Sequence, residues 1–496
     1  MDDHSDQRRE AEDEAVHHAD VVVIGGGPVG ENVADRVVKG GLSAAVVEAR
    51  LLGGECSYYA CVPSKALLRP GTALDGTRTV DGARQAVSGP LDAESALARR
   101  TRLTDGWTDD GQVEWLAGAN VDLARGHGRL AGERTVVVDL ADGGTVTIRA
   151  EHAVVVATGT SPLVPPIQGL AEAAPWTNRE ATSADAAPRR LVVLGGGPVA
   201  CELATAWRSL GSEEVTIVER SPRLLGRVEP FAAIAVEAGL TAQGVVVWTG
   251  ASATRVERPT PGGPVRVHLD GAEGDPTIEA DELLVAAGRT PASTDIGLET
   301  IGLDPGSWLE VDDTGLVGAV DGGWLYATGD ITHEVLLTHV GKYQARACGD
   351  AIVARVRGEL GPEAGDAEAW GPYAATARHG AVPQVVYTRP EVAAVGLTEA
   401  QARDAGLDVR VVTRPIDVEG ALLHADGYEG TARIVVDEAR GVIVGATFVG
   451  PDVGELLHAA TIAVVGEVPL DRLWHAVPAF PAVSEIWLRL LEDYGL

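Results

Sequence analysis

Lysine is almost missing from this chain: Lys39, Lys65 and Lys342 are the only three in 496 residues. Acidic side chains outnumber basic ones 72 to 40, for a formal charge of -32. A surface so short of clustered cations offers no footing to a nucleic-acid backbone or an anionic membrane face. Cysteine is equally sparse, four in all, too few to staple a disulfide scaffold. No uninterrupted apolar stretch of about 18 residues occurs, so no helical membrane span is expected. The polar stretch from Met1 to Asp20 has no apolar signal core. A reducing cytoplasm is therefore the expected location. What remains is an ordinary globular composition, 45% hydrophobic, long enough for about three domains at ~150 residues each.

Residues 1–18 carry mixed charge and few apolar groups, and read as a disordered leader. The first ordered stretch is Asp20-Val-Val-Val-Ile24, a continuous apolar run typical of a buried parallel strand. It enters the turn Gly25-Gly-Gly-Pro-Val-Gly30, then a helix from Glu31 to Lys39 and a strand from Ala44 to Val47 that ends at Glu48. The same order returns at Arg190–Leu194, Gly195-Gly-Gly-Pro-Val-Ala200, a helix through Leu210, and Val215–Val218 ending at Glu219. In such a turn the first glycine permits the tight bend, the second admits a pyrophosphate, and the third lets helix and strand pack closely. The helix amino terminus then faces the phosphates, and the acid at the next strand end takes ribose hydroxyls. Two complete copies imply two dinucleotide-binding domains. Gly195, Gly197 and Glu219 in the second copy favour NAD, because a carboxylate repels a 2′-phosphate; Ala200 and Arg220 leave NADP as an alternative.

Between the copies lie a helical, polar region near 65–120 and strands over 121–157. The Gly-, Ala- and acid-rich stretch from Arg357 to Arg378 reads as a linker. Beyond it, strands at Gln384–Tyr387, Ala432–Val436 and Val442–Phe448, with helices near 398–404 and 452–465, make an α+β domain.

The segment Gly53-Gly-Glu-Cys56-Ser-Tyr-Tyr-Ala-Cys61-Val-Pro-Ser-Lys65 holds two of the four cysteines. No His cluster supplies further ligands at zinc-like spacing, so no metal is expected. Cys201 and Cys348 sit in apolar or helical contexts and read as core. Five positions along a regular helix rise ~7.5 Å, whereas bridged Cα atoms lie ~4.4–6.8 Å apart. A Cys56–Cys61 bridge therefore requires a distorted turn, and strain makes such a bond easier to reduce.

These motifs, with Ala157-Thr-Gly159, Gly288-Arg289-Thr-Pro291, Thr328-Gly-Asp330 and Tyr387-Thr-Arg-Pro-Glu-Val-Ala-Ala-Val-Gly396, resemble the FAD-dependent pyridine nucleotide-disulfide oxidoreductases. Dihydrolipoamide dehydrogenase, glutathione reductase and mercuric reductase are familiar members. The resemblance runs from about Ala19 onward and implies an α/β fold with two Rossmann-like domains and a C-terminal α+β dimerisation domain. Expected boundaries are 19–162 for the first part of the FAD-binding domain, 163–288 for NAD(P) binding, 289–372 for the second FAD part and linker, and 373–496 for dimerisation. It implies that Gly25, Gly27, Gly30 and Glu48 hold the FAD adenosine and pyrophosphate. Gly128, Thr158, Asp330 and Thr338 would line the rest of the flavin site, and Gly195, Gly197, Glu219 and Gly288 would serve the nicotinamide dinucleotide. Lys65 would pair with Glu202, Cys61 would face the flavin, and Cys56 would be the outer thiol. A small-molecule electron acceptor and a homodimer with the active site completed across the interface follow from the same resemblance.

The chain departs from the family at three places. Pro198 stands where an aromatic gate is common, and Tyr58 and Tyr59 replace smaller residues between the cysteines. The third departure concerns chemistry. The family's His-Pro-x-x-Ser-Glu, whose His is the acid/base for the outer thiol, is matched by Phe480-Pro-Ala-Val-Ser-Glu485. Phenylalanine transfers no proton, and such transfer is worth ~10²–10⁴-fold. Either His475 substitutes, or the substrate needs no proton there, or the acceptor is a quinone or other electrophile. A relative, 2-ketopropyl coenzyme M oxidoreductase/carboxylase, also has Phe here, and the resemblance leaves its thiolate attack at carbon–sulfur bonds as an alternative; it lacks the Glu, however, which this chain keeps as Glu485. A non-catalytic FAD-binding redox sensor is the alternative from another class; the retained cysteines, Lys65 and Glu202 argue against it.

Overall fold

The computed structural model describes residues 16–271, 274 and 276–496. Most of the expected leader, 1–15, lies outside the described residues. Its last three residues do not belong to a leader: Val16–Ile24 is one strand, and Val16–Ala19 pair in parallel with Thr147–Ala150. Sequence periodicity hid this because His17 and His18 are exposed and polar, while it is their backbone that joins the ladder.

The chain divides into two compact units. The first comprises residues up to Gly54, Asp109–Thr160 and Pro291–Thr376. Its sheet is centred on Val16–Ile24, which runs parallel to Ala44–Glu48 on one side and Thr145–Val156 on the other. Asp122–Leu130 and Leu325–Ala327 extend it in parallel, and Thr135–Leu140 joins antiparallel. Val21, Val22 and Val23 are wholly buried, because a parallel strand covered on both faces has no polar side to present. On one face Val33 and Val37 of helix Pro28–Lys39 and Ile352 of helix Thr338–Val356 pack on Val21, Val23 and Val46. Val22, Ile24 and Val154 point to the other core, with Trp324 and Ile331. The stretch expected as a linker is anchored up to Thr376: Ala375 N–H donates to the Asp313 carbonyl at 2.8 Å, and Ala374 and Ala375 are buried.

The second unit comprises Glu55–Thr108, Ser161–Thr290 and Ala377–Leu496. Its parallel sheet runs in the order Glu282–Val285, Arg190–Leu194, Glu214–Glu219, Val245–Thr249. Helices Pro198–Ser209 and Pro230–Ala242 cover one face, and a three-stranded antiparallel sheet (Ser252–Glu257, Val265–Asp270, Thr277–Ala280) supplies the core of the other. Residues 55–108, expected with the 19–162 segment, group here because Leu67 and Leu68 of helix Cys61–Arg78 share a core with Leu203 and Trp207. The C-terminal part is a five-stranded antiparallel sheet backed by helices Leu457–Val465 and Ile486–Tyr494. Two of its strands, Glu391–Gly396 and Val409–Pro415, carried no clear signal in the sequence.

Candidate functional site

In the first unit the turn after Val16–Ile24 assigns a separate task to each glycine. Gly25 has φ +107°, and a Cβ there would collide with the Ala157 carbonyl. A Cβ at Gly30 would overlap the Gly25 carbonyl oxygen. At Gly27 the nearest atom to a Cβ would be the Gly54 Cα at 3.9 Å, so the chain is open where a pyrophosphate must approach. Helix Pro28–Lys39 begins there with no side-chain cap on its amides. Glu48 accepts the Gly26 and Arg50 N–H groups, each at 2.7 Å. Burial pushes its carboxyl upward, against those two amides. Gly128 is buried, and a Cβ there would sit 2.7 Å from Val47 Cγ1. Asp330 accepts the Thr160 hydroxyl at 3.1 Å, and Thr338 opens the helix that ends at Val356.

The hydroxyls of Thr158 and Thr328 are buried with no hydrogen-bond partner among the described residues. Buried polar groups without partners are costly, so these orphans and the open cradle at Gly27 fit a polar dinucleotide. FAD suits these residues. Sequence reasoning missed Glu31, a buried acid whose Oε1 has no hydrogen-bond partner among the described residues. Burial, with Glu48 adding and Lys342 opposing, pushes its carboxyl up to about 7.

In the second unit Cys56 lies in the short helix Gly54–Tyr58, and Cys61 is the first residue of helix Cys61–Arg78. Ala60, at φ -135° and ψ -97°, breaks the helix between them, giving the irregular turn that a five-residue bridge requires. Both cysteines are half-buried, and the helix amino terminus at Cys61 favours a thiolate. Trp107 Nε1–H donates to the Tyr58 carbonyl at 3.1 Å, and Asn178 Nδ2–H to the Tyr59 carbonyl at 2.8 Å. Cys201 and Cys348, by contrast, are buried core thiols whose ionisation burial pushes far up.

The second glycine turn repeats the first. Gly195 has φ +114° beside the Ala286 carbonyl, and Gly197 has nothing within 4 Å of a Cβ position. Glu219 accepts the Ser221 N–H at 2.6 Å, and the Gly288 carbonyl accepts the Leu163 N–H at 3.0 Å. Three residues on from Gly197 a methyl, Ala200, is accommodated fully buried. Further along the same helix, Glu202 accepts from Lys65 Nζ at 2.6 Å through one oxygen and from the Tyr387 N–H at 3.0 Å through the other. Lys65 Nζ also lies 5.0 Å from the centre of the Tyr387 ring, a contact with no sequence signal beyond the Tyr387–Gly396 motif.

The tail separates its three expected residues. His475 and Phe480 are exposed, Phe480 by 73%. Glu485 is buried and accepts from Arg489 Nη2 at 2.9 Å, four residues on and within helix Ile486–Tyr494, while its Oε2 has no hydrogen-bond partner among the described residues. Arg489, not His475, takes the carboxylate. Among the described residues no helix is long and apolar enough to cross a membrane.

Comparison with known proteins agrees with this geometry. The family described as pyridine nucleotide-disulphide oxidoreductase matches residues 19–345, and its dimerisation domain matches residues 382–490. The chain is 32% identical over 482 residues to a dihydrolipoyl dehydrogenase of Thermus scotoductus, covering 95% of this chain and 96% of that protein. It is 29% identical to a mercuric reductase of Staphylococcus aureus, covering 94% and 80%. The fold matches the HOCl-induced flavoprotein disulfide reductase RclA from Escherichia coli, solved as a Cu(II) complex, with TM-score 0.79, 24% identity and coverage of 96% and 99%.

Proposed function

The chain belongs to the pyridine nucleotide-disulphide oxidoreductases, enzymes that bind FAD and NAD(P), and from that premise we propose that it carries electrons from NAD(P)H through FAD to a Cys56–Cys61 couple and on to a small acceptor needing no proton from residue 480. FAD, when bound, supplies the electron relay between the nicotinamide and the sulfurs. In this reading Gly25, Gly27, Gly30 and Glu48 hold its adenosine and pyrophosphate, and Gly128, Thr158, Asp330 and Thr338 the remainder. Gly195, Gly197, Glu219 and Gly288 hold the nicotinamide dinucleotide, with Glu219 selecting NAD. The Lys65–Glu202 pair, steadied by Tyr387, keeps a fixed charge arrangement beside the second turn. Cys61 is the inner thiol and Cys56 the outer one that meets the acceptor.

One observation carries the choice of acceptor: Glu485 is ion-paired to Arg489 in its own helix, and the position expected for an acid/base holds the phenyl ring of Phe480. A disulfide substrate whose leaving thiolate must be protonated is poorly served by that tail. A quinone, another electrophile or a thiophilic metal ion is not so limited. The large apolar side chains exposed on the C-terminal part, among them Leu422, Leu423, Ile462 and Val477, support a homodimer that covers them; the expected location is the cytoplasm.

The test is NADH oxidation by the purified flavoprotein with lipoamide, glutathione disulfide, a benzoquinone and Hg(II) in parallel. Quinone or Hg(II) turnover should exceed disulfide turnover at least tenfold, and Cys56→Ser should abolish the Cys-dependent part. Lipoamide turnover comparable with the quinone rate would overturn the missing-base argument.

A further inference from the structure

The residue before the outer cysteine is an acid held by two arginines. Glu55 accepts from Arg179 Nε at 2.7 Å and from Arg289 Nη2 at 2.6 Å, and its side chain is mostly buried. Asn178 Nδ2–H reaches a Glu55 oxygen at 3.4 Å while donating to the Tyr59 carbonyl at 2.8 Å. Thr182 donates to the same carbonyl at 3.2 Å, and the Arg179 guanidinium lies over the Tyr59 ring at 5.3 Å. Glu55, Tyr58 and Tyr59 are thus tied to helix Asn178–Ser183, to Arg289 or to Trp107. Burial alone would raise the Glu55 carboxyl; the Arg289 and Arg179 guanidiniums outweigh it and hold it below the usual range. Glu180, next to Arg179 in the same helix, also acts on that guanidinium, so the two arginines stand against more than one carboxylate, and the Glu55 carboxylate belongs to the residue bonded to Cys56. A further cation, Arg100, lies over the Trp107 ring at 4.9 Å, with Asp185 as its opposing charge.

We propose that Glu55, Arg179 and Arg289 are positioning residues for the outer thiol, fixing the turn that carries Cys56 and setting the local charge that its thiolate meets. The inference rests on the Cys56–Cys61 couple proposed above. In the step concerned, a hydride equivalent (two electrons and a proton) breaks the S–S bond and leaves one thiolate and one thiol. A nearby positive charge stabilises the thiolate, and stabilising the reduced form makes the couple more oxidising. Fixing the turn by side chains outside it lets the sulfur swing on cleavage while the backbone stays in place.

Opposite charge changes separate this role from simple scaffolding. Arg179→Met removes one positive charge from the cluster, and Glu55→Gln removes one negative charge. The holoenzymes, with flavin content per chain measured, are reduced by dithiothreitol, and iodoacetamide labelling of Cys56 is followed by peptide mass spectrometry across pH. Arg179→Met should move the labelling midpoint to higher pH and slow labelling at pH 7 by about threefold to tenfold. Glu55→Gln should move it to lower pH. Shifts of the same sign, or no shift with flavin content intact, would overturn the proposal. A parallel arm reduces the wild type with NADH alone: failure to expose two new thiols per chain would sink the couple itself, a result the dithiothreitol arm cannot mimic.

Discussion

The two glycine turns are near-copies in sequence, and their difference lies in how much room each leaves. Both begin with a glycine at positive φ against a carbonyl of a neighbouring strand end, Gly25 beside Ala157 and Gly195 beside Ala286. Both leave the middle position open, at Gly27 and Gly197. They part at the third position. In the first turn a single methyl at Gly30 would overlap the Gly25 oxygen, whereas the second turn buries that methyl as Ala200 without conflict. They part again in the next residues, where the first helix buries the lone acid Glu31 and the second buries Glu202 with a lysine. The first turn is therefore built for the closest helix-to-strand approach, and burial raises its carboxyl against the opposing charge of Lys342. The second is looser and electrostatically paired.

The comparison breaks most visibly at the tightest point. Gly30→Ala should cost most of the bound flavin and much of the folded yield, read as flavin absorbance per purified chain, because the clash is with backbone and has no flexible end to move. Glu31→Gln comes next. The folded carboxyl sits at about 7 against an ordinary 4.5, so the folded state binds the extra proton between those values and stability falls as pH rises through them. That loss amounts to on the order of 3 kcal/mol. The Gln variant should show a flatter melting temperature across that window. A residual slope of the same sign is expected from Glu391 in the second unit, also pushed to about 7 by burial. Lys65→Met strands the buried Glu202; with the lysine side chain 40% exposed and the Tyr387 N–H still bound, urea denaturation should register a loss of roughly 1–2 kcal/mol. Smallest is Ala200→Gly, which should change stability by less than about 1 kcal/mol and leave NADH binding intact. A large effect there would mean that the looser turn is not loose.

Much of this architecture was legible in the linear sequence because its signals are local. A buried parallel strand announces itself as an unbroken apolar run, and a dinucleotide turn as glycines at fixed spacing. The cysteine segment was legible for the same reason. Contacts between distant segments were not. Nothing in the chain marks Arg179 as the partner of Glu55, 124 positions away, and Asn178 and Thr182 act through backbone carbonyls that no side-chain pattern encodes. Arg489 stands only four residues from Glu485, an ordinary i, i+4 ion pair, but the Phe480–Glu485 motif ends before it and does not mark it. The strand at Val16–His18 was hidden by exposed side chains, two of them polar, on a backbone that pairs with Thr147–Arg149.

The scarcity of lysine gives the Lys65–Glu202 pair an experimental value. With three ε-amines in the whole chain, one held by Asp35 at 2.7 Å and one beside Glu31, an acylating reagent meets an almost unlabelled background. Its rate at position 65 becomes a site-specific gauge of whether a dinucleotide occupies the second turn, read by mass spectrometry without any engineered tag.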